Sequence, residues 1–492
     1  MDNTTVIINN KKLPWLIVQR GFKIPSFNFA TEVEKIPGRD GGVLKNRELN
    51  HYEFDLPLYA LNDSIHGEKN HDEILNELVR LFDYDKPVKL KLSSKNWYWY
   101  AMFDGPFEID MTKDGFIEFS VKVILLDPYK YSDTEYTSPA YQDQIAVKND
   151  GTAKTYPIIE ATAIKDSTMF MITRADEDYF QVGEPESANN ETKDLNPILV
   201  KSTGNTLSGW QYETQGKIIS NNEGSALANG VAESNGYSIG AKSFGTRDNK
   251  GWYGPALRRS LPHTVNDFTV TADMKVFDQE KGKSSVGKVM THLYDEMNNV
   301  VCTFGLYDAT GSKNNIRAWF GIYNEFGERY EIYDSAGNYA FDDHYIYLSV
   351  SRKNNMWTFK TWHYYTDSRG KRKITSRMNK VYSDRGAIYS KPIAQVGFQI
   401  SRHTHFEVQQ ARINEIKFQE HLAGNEIPYI VKAGEVVYID MNQEFVTIDN
   451  EPALQHKAFG SDYFYVDKGI TELFVLPQGY FDTTVTWVNR FL

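Results

Sequence analysis

The chain has 492 residues, 54 basic against 65 acidic side chains and a net charge of -11. That length exceeds one ordinary hydrophobic core, so several domains are expected, and the acidic balance argues against wrapping duplex DNA. Mean hydropathy is -0.52, and no apolar run approaches the ~20 residues that span a bilayer, so neither nucleic acid nor membrane is an expected partner. Aromatic residues make up 14% of the chain, which favours β structure. The lone cysteine, Cys302, excludes an intramolecular disulfide and reads as a small buried apolar residue. The start MDNTTVIINN has no charged region leading into an apolar stretch, so no secretory signal is expected.

Residues 4–19 read as two short strands around Asn9-Asn10-Lys11-Lys12, and Phe27 and Phe29 alternate with polar residues in the next run. A Gly/Pro loop at 36–42 leads to a strand over 51–58, where Tyr52, Phe54 and Leu56 share a face. The one strong helical pattern is HDEILNELVRLF, 71–82, with Ile74, Leu75, Leu78, Val79 and Phe82 as its apolar stripe and Asn70 or Asp72 as cap. Strands follow at 88–92, 97–103, 107–111 and 117–125, the last ending before Asp127-Pro128-Tyr129.

Strands and turns occupy 145–185, and the polar run ESANNETKDLN, 186–196, breaks the pattern. From 197 to about 418 the chain shows strand after strand, with turns at Asn298-Asn299, Gly311-Ser312 and Asn354-Asn355, which fits a two-sheet sandwich or jelly roll. A second linker at 420–427 precedes a smaller β segment with strands at 436–439, 445–448, 463–466 and 471–476.

Four features, in order, carry a family pattern: Pro37-Gly38-Arg39-Asp40-Gly41; helix 71–82 leading to sheet segments that end in Asp127-Pro128-Tyr129; the run DYFQVG at 178–183; and KAGEVVYID at 432–440 followed by GSDYF at 460–464. The outer segments thereby resemble the distal tail proteins of long-tailed phages infecting Gram-positive bacteria, in the long form that carries an inserted carbohydrate-binding module. The resemblance implies a mainly β protein: an N-terminal split-barrel ring domain with one helix (1–131), a discontinuous galectin-like β-sandwich (132–186 plus 426–492) and an inserted jelly-roll, lectin-like sandwich (187–425). It also implies a homo-hexameric hub at the virion tail tip, made in the bacterial cytoplasm. The hub would contact the tail tube protein and tail-associated or tail-fibre proteins, with a host cell-wall saccharide bound by the insert. A sandwich loop whose ends lie together tolerates such an insertion, because loop closure cost grows slowly with length.

Sugars are held by aromatic faces and planar polar groups. On the strand at 316–323, Ile316, Ala318, Phe320 and Ile322 share the core face, which leaves Arg317, Trp319 and Tyr323 as an expected sugar platform opposite. On 357–365, Trp357 and Phe359 point inward and Lys360, Trp362 and Tyr364 outward. The competing reading packs these aromatics into a core. His403-Thr404-His405 places two imidazoles together without a third ligand, so no metal is expected. Asp342-Asp343-His344 is an oxygen-rich turn of the kind that holds structural calcium, although a solvated turn is the simpler reading and no cofactor is expected. The basic run 369–373, RGKRK, suits a hairpin tip that meets anionic wall polymers. No G-x-S-x-G, H-E-x-x-H, P-loop or G-x-G-x-x-G occurs, and the alternating Glu-x-Asp pattern of jelly-roll glucanases does not appear in the inserted module, so no catalytic residue is expected. Two other functions stay open: a tail-tip enzyme degrading polysaccharide, and an insert that only docks another baseplate protein.

Overall fold

A computed structural model of the chain describes residues 4–26, 28–62, 69–110, 115–174, 178–186, 192–213, 216–247, 251–277, 285–311, 315–335, 341, 344–367, 372–424 and 427–492. The fold is mainly β. Two compact units emerge, one of Met1–Thr192, Thr366–Lys371 and Tyr429–Leu492, the other of Lys193–Tyr365 and Arg372–Pro428. The chain leaves the first unit at Thr192–Lys193 and returns at Ile427–Pro428, and these two short strands pair with each other.

In the first unit, the strands Phe116–Pro139, Tyr52–Leu61, Lys11–Val18, Thr5–Ile8, Val88–Leu92 and Trp97–Asp104 pair in that order, and the last closes back onto the first. The result is a barrel filled by alternate side chains such as Leu56, Leu58, Val121 and Val123. Helix His71–Phe82 packs on it. Asn70 caps the helix by accepting from the Glu73 N–H at 2.8 Å, and Glu73 reaches back to the Asn70 N–H at 3.1 Å. The buried stripe is Ile74, Leu78, Leu81 and Phe82; Val79, expected inside, is 46% exposed. The face is turned toward Leu81, which lies three residues from Leu78 and seven from Ile74. Phe27 lies outside the described residues.

Asn9-Asn10 is a two-residue hairpin turn, with φ of 47° and 62°. Asn354-Asn355 repeats it at 49° and 60° between paired Lys353 and Met356. Asparagine tolerates the left-handed conformation such turns demand.

The strand Phe116–Pro139 runs 24 residues without a break. Its first half pairs with Tyr52–Leu61 and its second half with Phe481–Phe491, so residue 131 is mid-strand and no linker separates barrel from sandwich. The sandwich interleaves the two ends of the chain. Ile158–Ala163 sits between Val436–Asp440 and Phe481–Phe491, and in the facing sheet Gly469–Leu476 sits between Met169–Arg174 and Gln144–Asn149.

The family motifs meet in space. Tyr179 O accepts from Asp462 N at 3.0 Å, Gln181 O accepts from Ala458 N at 2.9 Å, and the Phe180 and Tyr463 rings pack 4.6 Å apart. The runs DYFQVG and GSDYF thus form one joint although the insert separates them in sequence. At the barrel end, the Arg490 guanidinium lies 3.8 Å from the centre of the Tyr129 ring and 3.8 Å from Asp127 Oδ1. This pins the last strand to the Asp-Pro-Tyr motif.

The second unit is a two-sheet sandwich. One sheet runs Val231–Ser234, Ile239–Ser243, Gln410–Glu420, Phe268–Phe277, Ile346–Lys353, Met356–Thr366, Arg372–Ser383. The facing sheet runs Lys217–Asn221, Gly224–Ala228, Trp252–Gly254, Ile393–His403, Ser285–Tyr294, Val300–Asp308, Arg317–Tyr323, Arg329–Asp334. Their inner faces share a core that includes Val270, Leu348, Phe359, Phe398, Phe304, Phe320 and Cys302.

Candidate functional site

The strand Arg317–Tyr323 alternates as expected. Ala318, Phe320 and Ile322 join the main core, and Arg317, Trp319 and Tyr323 share the opposite face. That face is not open: Trp319 is 0% and Tyr323 2% exposed, which corrects the expectation of an open platform. The hairpin of Lys217–Asn221 and Gly224–Ala228 accounts for the cover. The Tyr323 hydroxyl donates to the Ser220 carbonyl, and Asn222 Nδ2 donates to Asp334 Oδ2 at 3.1 Å. Trp319 Nε1 donates to Glu331 Oε2 at 3.0 Å, and Arg317 lies 3.7 Å from Asp334.

A sequence signal for this burial exists in Gly321. It shares a face with Trp319, and a Cβ there would sit 2.1 Å from the indole. The indole therefore lies flat over the glycine instead of standing into solvent. With Met290, Tyr307 and Tyr323 it makes a small second core.

The other expected trio belongs to the opposite sheet, so the six residues do not form one site. Lys360 is exposed; Trp362 is buried and stacks on Tyr347 at 5.3 Å with the rings 5° from parallel. Tyr364 is half-buried, edge-on to Tyr347, under the Arg372 guanidinium at 4.1 Å. Trp362 thus serves as packing, and Tyr364 and Lys360 stay accessible.

Beneath the 217–228 hairpin the outer face of Ser285–Tyr294 is unusually polar for its depth. Lys288 is 0% exposed, donates to Gly224 O at 3.1 Å and lies 4.6 Å from the centre of the Trp252 ring. Burial lowers its pKa to about 7. His292, also fully buried, contacts Thr303 Oγ1 through Nδ1 at 3.0 Å; burial and then Lys288 lower its pKa to about 3. His292 Nε2, Gln399 Oε1, Ser401 Oγ, Ser220 Oγ and Asn221 Nδ2 have no hydrogen-bond partner in this layer. Buried polar atoms are normally satisfied, so this concentration is notable.

At the Tyr294 end the layer meets a cleft of about 400 Å³ whose walls include Glu213, Ile218, Arg258, Tyr294, Asn298 and Phe326. Arg258 Nη1 donates to Asn298 Oδ1 at 2.7 Å and pairs with Glu213 Oε2 at 3.1 Å. Phe326 is 80% exposed. The Tyr294 and His292 rings are 6.0 Å apart.

His403 and His405 have ring centroids 5.7 Å apart, but His403 packs against Trp252 at 5.2 Å. No cluster of three metal-ligating side chains occurs among the described residues. Asp342, Asp343 and residues 369–371 lie outside the described residues.

Two families match the chain. The phage tail protein RIFT-related domain matches residues 11–125, which covers most of the barrel. The siphovirus-type tail component C-terminal domain matches 390–491, beginning in the last strands of the inserted unit and covering the returning half of the sandwich. With these two domains in this order, the chain belongs to the siphophage distal tail protein family. No curated protein matches.

Among solved structures, the chain is similar to the CBM2 module of the Lactobacillus casei BL23 phage J-1 evolved Dit, with 12% identity and a TM-score of 0.37 over 47% of this chain and 99% of that one. It is also similar to the SPP1 Dit protein, with 21% identity and a TM-score of 0.32 over 37% of this chain and 75% of that one. A Klebsiella pneumoniae alginate lyase is similar at 10% identity and a TM-score of 0.28, over 43% of this chain and 95% of that one.

Proposed function

We propose that this chain forms a hexameric ring at the tail tip that joins the tail tube to the adhesion apparatus, and that its inserted unit binds host cell-wall polysaccharide. The observation that carries the reading is architectural. A two-sheet sandwich enters a tail-hub protein through one pair of adjacent strands, Thr192–Lys193 and Ile427–Pro428, and among the described residues contributes no strand to the barrel or the tail sandwich. A unit that the hub fold does not need is free to serve recognition. Six copies on a ring would raise a weak, ~mM, sugar affinity by avidity.

The test compares the full chain with one in which 193–428 is replaced by a short Gly-Ser linker. Both should give hexamer masses in native mass spectrometry, and only the full chain should sediment with Gram-positive cell walls. Equal sedimentation would reject the wall-binding role of the insert. Release of reducing ends from the walls would replace binding by cleavage.

A further inference from the structure

We propose that the cleft formed by Glu213, Arg258, Tyr294, Asn298 and Phe326 is the saccharide subsite of the inserted unit, and that its ligand is an uncharged, hydroxyl-rich sugar. This rests on the wall-binding reading above and adds a location and a ligand class to it.

Three observations converge. The first is the presented ring. Phe326 is 80% exposed on a turn fixed by one side chain: Asn324 Oδ1 accepts from Phe326 N at 3.0 Å and from Glu328 N at 2.8 Å, while Asn324 Nδ2 donates to Glu328 Oε2 at 2.7 Å. Gly327, at φ 75°, completes the turn. A large apolar ring presented to water at a cleft by a fixed turn is the feature a sugar C–H face requires.

The second is the set of planar polar groups. Asn298 and Asn299 sit on a turn organised by Asp295, whose Oδ1 accepts from Met297 N at 2.9 Å and Asn299 N at 2.7 Å. Gln395 Nε2 and Arg258 Nη1 both donate to Asn298 Oδ1, at 2.9 and 2.7 Å. Amide, guanidinium and carboxylate are therefore pre-positioned, which lowers the ordering cost of binding.

The third is charge. The cleft lining holds Glu213 and Glu325 against Lys217 and Arg258, and Glu213 and Arg258 already pair at 3.1 Å. An anionic polymer would have to break that pair or lie beside two carboxylates. Hydroxyl groups can add to it as donors and acceptors without disturbing the balance.

The experiment uses the full-length protein. Sedimentation with Gram-positive cell walls is measured for the wild type, Phe326→Ala and Asn298→Gly, the latter keeping the left-handed backbone that Asn298 adopts at φ 66°. Soluble neutral wall polysaccharide and soluble glycerol-phosphate teichoic acid serve as competitors, and thermal unfolding is recorded for each variant. Each variant should keep its melting temperature and bind walls about tenfold more weakly, and only the neutral polysaccharide should compete. Wild-type binding that both variants retain would overturn the cleft and leave the wall-binding reading standing. Equal competition by teichoic acid would overturn the ligand class. No wild-type binding at all would overturn both.

Discussion

The tail unit and the inserted unit are both β structures with fully buried interiors, but they depend on the chain in opposite ways. In the tail unit, strands from before and after the insertion alternate within the same sheets; Ile158–Ala163 is flanked on both edges by strands from residues 436–491. In the inserted unit, both sheets are built only from strands that lie between residues 198 and 420. Interleaving makes the tail sandwich a single cooperative object closed only by its last residues. Contiguity makes the insert a replaceable one. The difference fits the placement of the family motifs in the tail unit, where DYFQVG mates with GSDYF and KAGEVVYID with Ile158–Ala163 across the insertion.

The largest expected effect tests that asymmetry directly. Ending the chain after residue 428 removes strands from the middle of both tail sheets, and the tail sandwich should show no cooperative unfolding transition by calorimetry. Replacing 193–428 by a short linker should leave the tail transition within a few degrees of the full chain's.

Next in size, Trp319→Ala should cost about 3–5 kcal/mol and lower the melting temperature of the inserted unit alone, because the indole is 0% exposed over Gly321. A surface role would leave that temperature unchanged.

Acid should also separate the units. His292 is held neutral, its pKa lowered to about 3 by burial. The unfolded chain takes up a proton there below its ordinary value of about 6.5 and the folded chain does not. Its contribution is complete above that value and is lost as pH falls toward 3, with a slope of up to ~1.4 kcal/mol per pH unit. His292→Gln should flatten this slope in urea titrations between pH 6 and 4 and leave the tail unit's pH dependence untouched.

The smallest effect lies in the barrel. Asn70→Ala removes the capping box and should cost about 1 kcal/mol, read as a shift of the tail transition only.

Local chemistry made part of this fold readable. The apolar period over 71–82 gives the helix and narrows its cap to Asn70 or Asp72, of which the structure uses Asn70; the Asn-Asn pairs give hairpin turns because their backbone conformation is demanding. Side-chain alternation correctly divided Arg317, Trp319 and Tyr323 from Ala318, Phe320 and Ile322. It could not show that the first group is covered, because the cover is distant: Ser220 accepts from Tyr323 across 103 residues. The cleft is similarly assembled from segments near 213, 258, 294 and 326, no two adjacent in sequence. Asp127-Pro128 reads as a strand end, yet the strand continues to Pro139. The proline falls between Leu125, the last residue paired to Tyr52–Leu61, and Lys130, the first paired to Phe481–Phe491, and at an irregularity in the pairing with Trp97–Asp104, between Asp127 and Tyr131, where a missing N–H is tolerated.

That continuous strand has a mechanical consequence. Its 24 residues have a contour of about 80 Å, and it is hydrogen-bonded to barrel strands at one end and sandwich strands at the other. Tension applied to the sandwich is carried into the barrel along a covalent backbone, with the flanking ladders loaded in shear along their length. A load on the sandwich would therefore reach the barrel as a stiff pull, without the slack a flexible tether would introduce.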